Sequence, residues 1–90
     1  MALVRFPNVM KYYVNQQSEF QVSASTVGGM IDRIIEQYPA VRPHLVDATG
    51  ALRRYFNIFV NGIHIRDLDG LDTRLADDDK VILMASAAGG

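Results

Sequence analysis

Between Thr26 and Pro39 the apolar residues fall at Val27, Met30, Ile31, Ile34 and Tyr38, the i, i+3, i+4, i+7, i+11 stripe of a helix with one buried face. One such helix cannot build a core alone, so its stripe must lie on other elements. Ser25 and Thr26 offer an N-cap hydroxyl, and Asp32, Arg33, Glu36 and Gln37 take the wet side. Pro39 stops the helix, because the residue before a proline disfavours the α region. Gly28 and Gly29 in the first turn each cost up to about 1 kcal/mol of helix propensity. They point to close packing against a strand or to a tolerated weakness. No Lys-Ser/Thr follows them and no GxGxxG spacing exists, which argues against a phosphate loop.

The segments on either side of the helix have the period of strands. Ala2 to Phe6 places Val4 and Phe6 on one face and Leu3 and Arg5 on the other, and Pro7 fits the end of such a strand. Asn8 to Ser18 is polar and tyrosine-bearing, as in a loose connection, and a second strand follows at about Glu19 to Ser23 with Phe20 and Val22 inward. Ala40 to Arg54 is a long connection, anchored to the core edge by Val41, Leu45, Val46 and Leu52. Tyr55 to Val60 is the clearest strand, and Asn61-Gly62 turns it back into Ile63 to Arg66. Asp67 to Ala76, with Leu68, Leu71 and Leu75, suits a short helical turn packed underneath. Asp77-Asp78-Asp79 makes an acidic turn, and Lys80 to Met84 is the last strand.

This order predicts an α+β domain of the β-grasp type, a mixed sheet of about five strands with one main helix packed on one face. The last strand would lie centrally, beside the first and parallel to it, because the connection between them holds the helix. Asp67 to Ala76 is too short and too rich in aspartate to be the second helix of a ferredoxin-like fold. Residues 1–84 would form the domain and residues 85–90 a flexible tail.

That tail is Ala85-Ser86-Ala87-Ala88-Gly89-Gly90. No side chain in it exceeds a serine hydroxymethyl, so it gains little from joining a core and can lie extended in a narrow channel. Its one reactive group would be the α-carboxylate of Gly90. A chance Gly-Gly ending is expected in about 0.5% of chains at ordinary glycine usage, so the ending alone is a weak signal.

Composition narrows the function classes. Ninety residues make one small domain, and the absence of cysteine excludes disulfides, thiolate metal sites and thiol nucleophiles from this chain. A net charge of −1 with interspersed signs argues against a general nucleic-acid binder. Apolar runs are far shorter than a membrane span, and Met1 to Pro7 lacks the pattern of a signal peptide, which makes the cytoplasm the expected compartment.

Several stretches carry a family resemblance. They are Thr26-Val27-Gly28, Phe56-Asn57-Ile58-Phe59-Val60-Asn61, Leu75-Ala76-Asp77-Asp78-Asp79-Lys80-Val81 and the closing Ala87-Ala88-Gly89-Gly90. Together these resemble the MoaD/ThiS family of ubiquitin-like sulfur carriers, the terminal Gly-Gly and the strand-Asn turn being the specific parts. The long loop before Arg53-Arg54-Tyr55 makes the chain most similar to members dedicated to cysteine biosynthesis. Family members usually carry a glycine in the final turn, where Asp78-Asp79 stand here. The resemblance implies that an E1-like adenylating enzyme uses ATP to activate Gly90 and that a sulfur donor then leaves a thiocarboxylate. It also implies an acceptor enzyme, cysteine-synthase-like by preference, with molybdopterin, thiamine or a secondary metabolite as other destinations. The carrier itself would be no enzyme, would bind no cofactor or metal, and would be a monomer when free.

Strand parity points to where partners dock. With Phe56, Ile58 and Val60 inward, Asn57 and Phe59 face the open side of the sheet, joined by Ile82, Met84, Arg5 and Pro7. Arg53 and Arg54 suit an acidic partner surface or a solvated loop pair. Asp67, Asp69 and Asp72 miss the EF-hand pattern at Leu71, which leaves them as turn caps, and His44 and His64 stand apart as surface or edge residues without a second ligand. Two other functions compete with sulfur carriage: conjugation to lysines as a ubiquitin-like modifier, and a plain interaction module.

Overall fold

A computed structural model describes residues 1–85 of the chain. Five strands form one mixed sheet in the order β2-β1-β5-β3-β4. They are β1 (Ala2–Arg5), β2 (Glu19–Val22), β3 (Phe56–Val60), β4 (Ile63–His64) and β5 (Lys80–Ala85). β5 lies in the middle, parallel to β1 and antiparallel to β3. This is the expected β-grasp arrangement. β5 runs one residue past its expected end, because Ala85 still pairs with Phe56.

Helix α1 (Val27–Gln37) lies on one face of the sheet. Its stripe is buried as expected: Val27, Met30 and Ile34 are fully enclosed, and Ile31 and Tyr38 nearly so. Thr26 caps it, its hydroxyl oxygen accepting the Gly29 N–H at 3.0 Å. From the sheet, Val4, Phe6, Ile58, Val81 and Leu83 meet the helix in one core. Gly28 is packed tightly, though not against a strand. A Cβ there would sit 3.2 Å from the Leu71 carbonyl oxygen, in the 3-10 turn Gly70–Asp72.

Three segments differ from expectation. Asn8–Val14 is not a loose connection but a 3-10 helix that buries Met10 and Val14. It ends in two left-handed residues, Asn15 and Gln16. The return strand of the hairpin stops at His64, because its ring Nδ1 accepts the Arg66 N–H and starts a 3-10 turn at Ile65–Asp67. Of the three leucines expected to pack underneath, only Leu75 is buried, while Leu68 and Leu71 remain well exposed. The turn there packs by its backbone against α1 instead.

The long connection is anchored as anticipated. Val41, Leu45 and Val46 are buried and Leu52 is half-buried against the core, with a short helix α2 (Arg42–Leu45) between them. Asp47 ties the loop tip, one carboxylate oxygen accepting from the Thr49 hydroxyl and from the Thr49 and Ala51 N–H groups. Those bonds, the Thr49 hydroxyl foremost, hold its carboxyl below the usual carboxylate range. Among the described residues no helix is long and apolar enough to cross a membrane.

Candidate functional site: the open sheet face and the exit of β5

Alternation puts one set of side chains under α1 and the other on the bare side of the sheet. Register then assembles the expected patch from three strands. Ile82 pairs with Arg5 on one side and with Phe59 on the other, forming one cross-strand row. Met84 pairs with Asn57 one step further along, and is 53% exposed. Arg5, Pro7, Asn8, Ser18, Ile82 and Met84 line an open groove of about 600 Å³ that runs to Ala85. All five docking residues expected from the sequence therefore lie on or beside this face.

The patch is less apolar than parity alone implied. Arg5 Nη2 makes an ion pair with Glu19 at 3.1 Å across β1 and β2. Phe59 is half-buried and meets the His64 ring edge-on, with centroids 5.0 Å apart. His64 Nδ1 already accepts the Arg66 N–H, so the neutral ring carries its proton on Nε2 and donates it to Asn57 Oδ1 at 3.0 Å. What stays open is a narrow strip, exposed Met84 with half-buried Ile82 beside it, flanked by polar groups. Such a strip suits reversible docking: enough apolar area to hold a partner, too little to drive aggregation.

Both histidines are tethered rather than free at the surface. His44 stacks on Tyr13 with centroids 4.3 Å apart, joining the 3-10 helix after β1 to α2. Tyr55 donates its hydroxyl to the His44 carbonyl oxygen at 2.7 Å. Sequence reasoning missed Val9 and Tyr12, which the 3-10 helix presents outward near the exit of β5. Met10 and Val14, two apolar residues four apart, are too few to form a period that would have signalled them.

The acidic turn before β5 is a built structure. Asp79 accepts from the Ala76 N–H at 2.7 Å and from Asn61 Nδ2 at 3.0 Å, which together depress its pKa. Asn61 in turn accepts the Lys80 N–H, so the Asn-Gly hairpin is laced to the start of β5. Asp77 is lowered by its bond to the Met1 ammonium. Of the aspartates, Asp79 caps a turn with its carboxylate, whereas Asp69 stands at the N-cap of the 3-10 turn Gly70–Asp72 without a side-chain cap bond. No group of three or more His, Asp or Glu among the described residues is placed to hold a metal ion.

Gly90 and the residues Ala87, Ala88 and Gly89 before it lie outside the described residues. What the structure positions is their root: Ala85 closes a strand in the middle of the sheet, held on one side by β3.

The model of the ThiS family matches residues 4–90. The chain belongs to the ThiS family. A protein of Mycobacterium tuberculosis named sulfur carrier protein CysO is 32% identical over 89 residues, spanning 97% of this ThiS-family chain and 96% of the relative. The crystal structure of M. tuberculosis CysO superposes with a TM-score of 0.87 at 28% identity, covering 97% of this chain and all of that one. A CysO complex with BexX from Amycolatopsis orientalis gives a TM-score of 0.89 at 23% identity over the full length of both chains, a likeness of fold. The small archaeal modifier protein 1 of Methanosarcina acetivorans matches with a TM-score of 0.85 at 25% identity, covering 99% of this chain and 95% of that one. The ubiquitin-like β-grasp assignment therefore holds for the described residues of the ThiS-family chain.

Proposed function

We propose that this chain is a sulfur carrier serving cysteine biosynthesis in the cytoplasm. The observation that carries the reading is the end-to-end match to proteins named as the sulfur carrier CysO, which spans 97% of the chain. In the proposed cycle an E1-like adenylating enzyme binds ATP, and the Gly90 carboxylate attacks its α-phosphorus and expels pyrophosphate. A carboxylate with a pKa near 3.5 is ionised and inert toward sulfur nucleophiles at neutral pH, so this activation is required. Sulfide (HS⁻) released by a donor then attacks the acyl carbon, AMP leaves, the resulting thioacid loses its proton, and a thiocarboxylate remains on Gly90. The anionic thiocarboxylate sulfur is the nucleophile delivered to a cysteine-synthase-like acceptor. ATP is a cosubstrate of the partner, and the carrier catalyses nothing. Ala87, Ala88, Gly89 and Gly90 supply the thin segment that both enzymes admit, while Phe59, Ile82, Met84, Arg5 and Pro7 supply the grip.

A second reading is favoured by the likeness to the small archaeal modifier protein 1: the same activated glycine acylates lysines of other proteins. Intact-mass spectrometry on the protein isolated from its cells separates the two. Exchange of one carboxyl oxygen for sulfur supports carriage, whereas lysine-linked adducts support conjugation. Gly90→Phe is expected to abolish charging while leaving the thermal transition unchanged, and a charged Gly90→Phe protein would refute the proposal.

A further inference from the structure

Charge on this molecule is sorted by end. Phe56 pairs with Ala85, so Arg54 and Tyr55, just before Phe56, stand beside the last described residue of β5. Parallel pairing of β1 with β5 brings the connection after β1 to the same end, and with it Lys11 and the exposed Val9 and Tyr12. Two further cations at this end are engaged: Arg5 with Glu19, and Arg53 with the Pro43 carbonyl oxygen. Lys11 and Arg54 make no ion pair among the described residues. At the opposite end, around the start of β5 and the first turn of α1, six aspartates (Asp67, Asp69, Asp72, Asp77, Asp78 and Asp79) outnumber four cations: Arg66, Arg74, Lys80 and the Met1 ammonium that pairs with Asp77. The net charge of −1 therefore conceals a dipole whose positive pole surrounds the exit of the central strand.

We propose that Lys11 and Arg54, with the exposed rings of Tyr12 and Tyr55, form a contact surface for an acidic rim around the channel of the partner that charges this chain. The proposal rests on the carrier reading and names the chemistry of that partner's surface. A molecule that must enter its partner by one end gains from a field that turns this end forward, and oriented charge raises association rates by about 10–1000-fold. The surface lies around the strand exit, whereas the Ile82–Met84 strip lies along the sheet. Nucleic acid is the poorer occupant: two unpaired cations neutralise too few phosphates to hold it at physiological salt, and the aspartate pole repels it.

The test compares charging by the cognate adenylating enzyme, followed as AMP release in the presence of ATP and sulfide donor, across a salt series. R54E is expected to lower kcat/KM about tenfold at low salt, with kcat little changed, and to approach wild type at about 0.5 M salt. K11E should behave alike if its thermal transition is intact, and R54K should retain the wild-type rate. R66E makes the same charge change at the other pole and should stay within about twofold of wild type. Equal losses for R54E and R66E, or a loss in R54E that ignores salt, would overturn the surface while leaving carriage standing. Failure of the wild-type chain to be charged would remove the carrier reading and the surface with it. Binding of a labelled single-stranded oligonucleotide at physiological salt, abolished by R54E, would likewise overturn it.

Discussion

At the scale of single residues, the acidic turn carries the most chemistry for its size. Asp79 binds a proton less readily folded than unfolded, because the Ala76 N–H and then the Asn61 amide bond its charged form. Its stabilising contribution is therefore complete above the unfolded value of about 3.9 and is lost as pH falls through the lower folded value. Asp79→Asn keeps one acceptor but turns a donor toward Asn61 Nδ2. The Tm gap between wild type and Asp79→Asn is expected to be widest near neutrality and to close below about pH 4, which calorimetry across pH would show. A gap that stays constant with pH would mean the carboxylate charge plays no part. The neighbouring Asp78 sits at φ +73°, the conformation glycine adopts without strain. Asp78→Gly should stabilise by about 0.5 kcal/mol, raising Tm by about 2–4 °C. The family resemblance implies a glycine in this turn, and the positive φ of Asp78 gives the physical reason for one.

At the scale of elements, what was legible followed from period. The α1 stripe and the alternation in β1, β3 and β5 each repeat enough times to fix a face, and the faces came out as expected. Asn61-Gly62 was legible for a stereochemical reason: both residues take positive φ, as a two-residue hairpin requires. The 3-10 helix Asn8–Val14 was not legible, because its order comes from tertiary packing rather than propensity. Met10 and Val14 are buried in the core, and Tyr13 packs against it and reaches across to His44. The exposure of Leu68 and Leu71 was equally hidden, since that turn packs against Gly28 by a backbone carbonyl that no hydropathy pattern reports. If the element is as well seated as its burial indicates, Met10→Ala should cost about 2 kcal/mol, or about 10 °C in Tm. Val9→Ala, at a position 73% exposed on the same helix, should stay within about 0.5 kcal/mol. Equal, small effects at both positions would return this segment to a loose connection.

For the whole molecule, the parity of β5 separates core from open face along six residues. Val81 and Leu83 point into the core and are almost fully enclosed, whereas Ile82 and Met84 point to the open face. A substitution on one side should therefore be silent on the other. Met84→Asp removes the most exposed apolar group of the strip and places a carboxylate beside the groove that runs to Ala85. Its Tm is expected to stay within about 3 °C of wild type, since surface changes are usually worth less than about 0.5 kcal/mol. Charging by the adenylating enzyme should nonetheless fall at least about tenfold, the scale of a central interface contact. Ile63→Asp is the matched control: Ile63 is 49% exposed, but it lies at the hairpin, where Val60 pairs with both Ile63 and Val81, at the far end of β5. Ile63→Asp should leave charging near the wild-type rate. If both variants lost activity equally, the effect would be one of surface charge in general, and the strip on the open face would not be where the partner holds on.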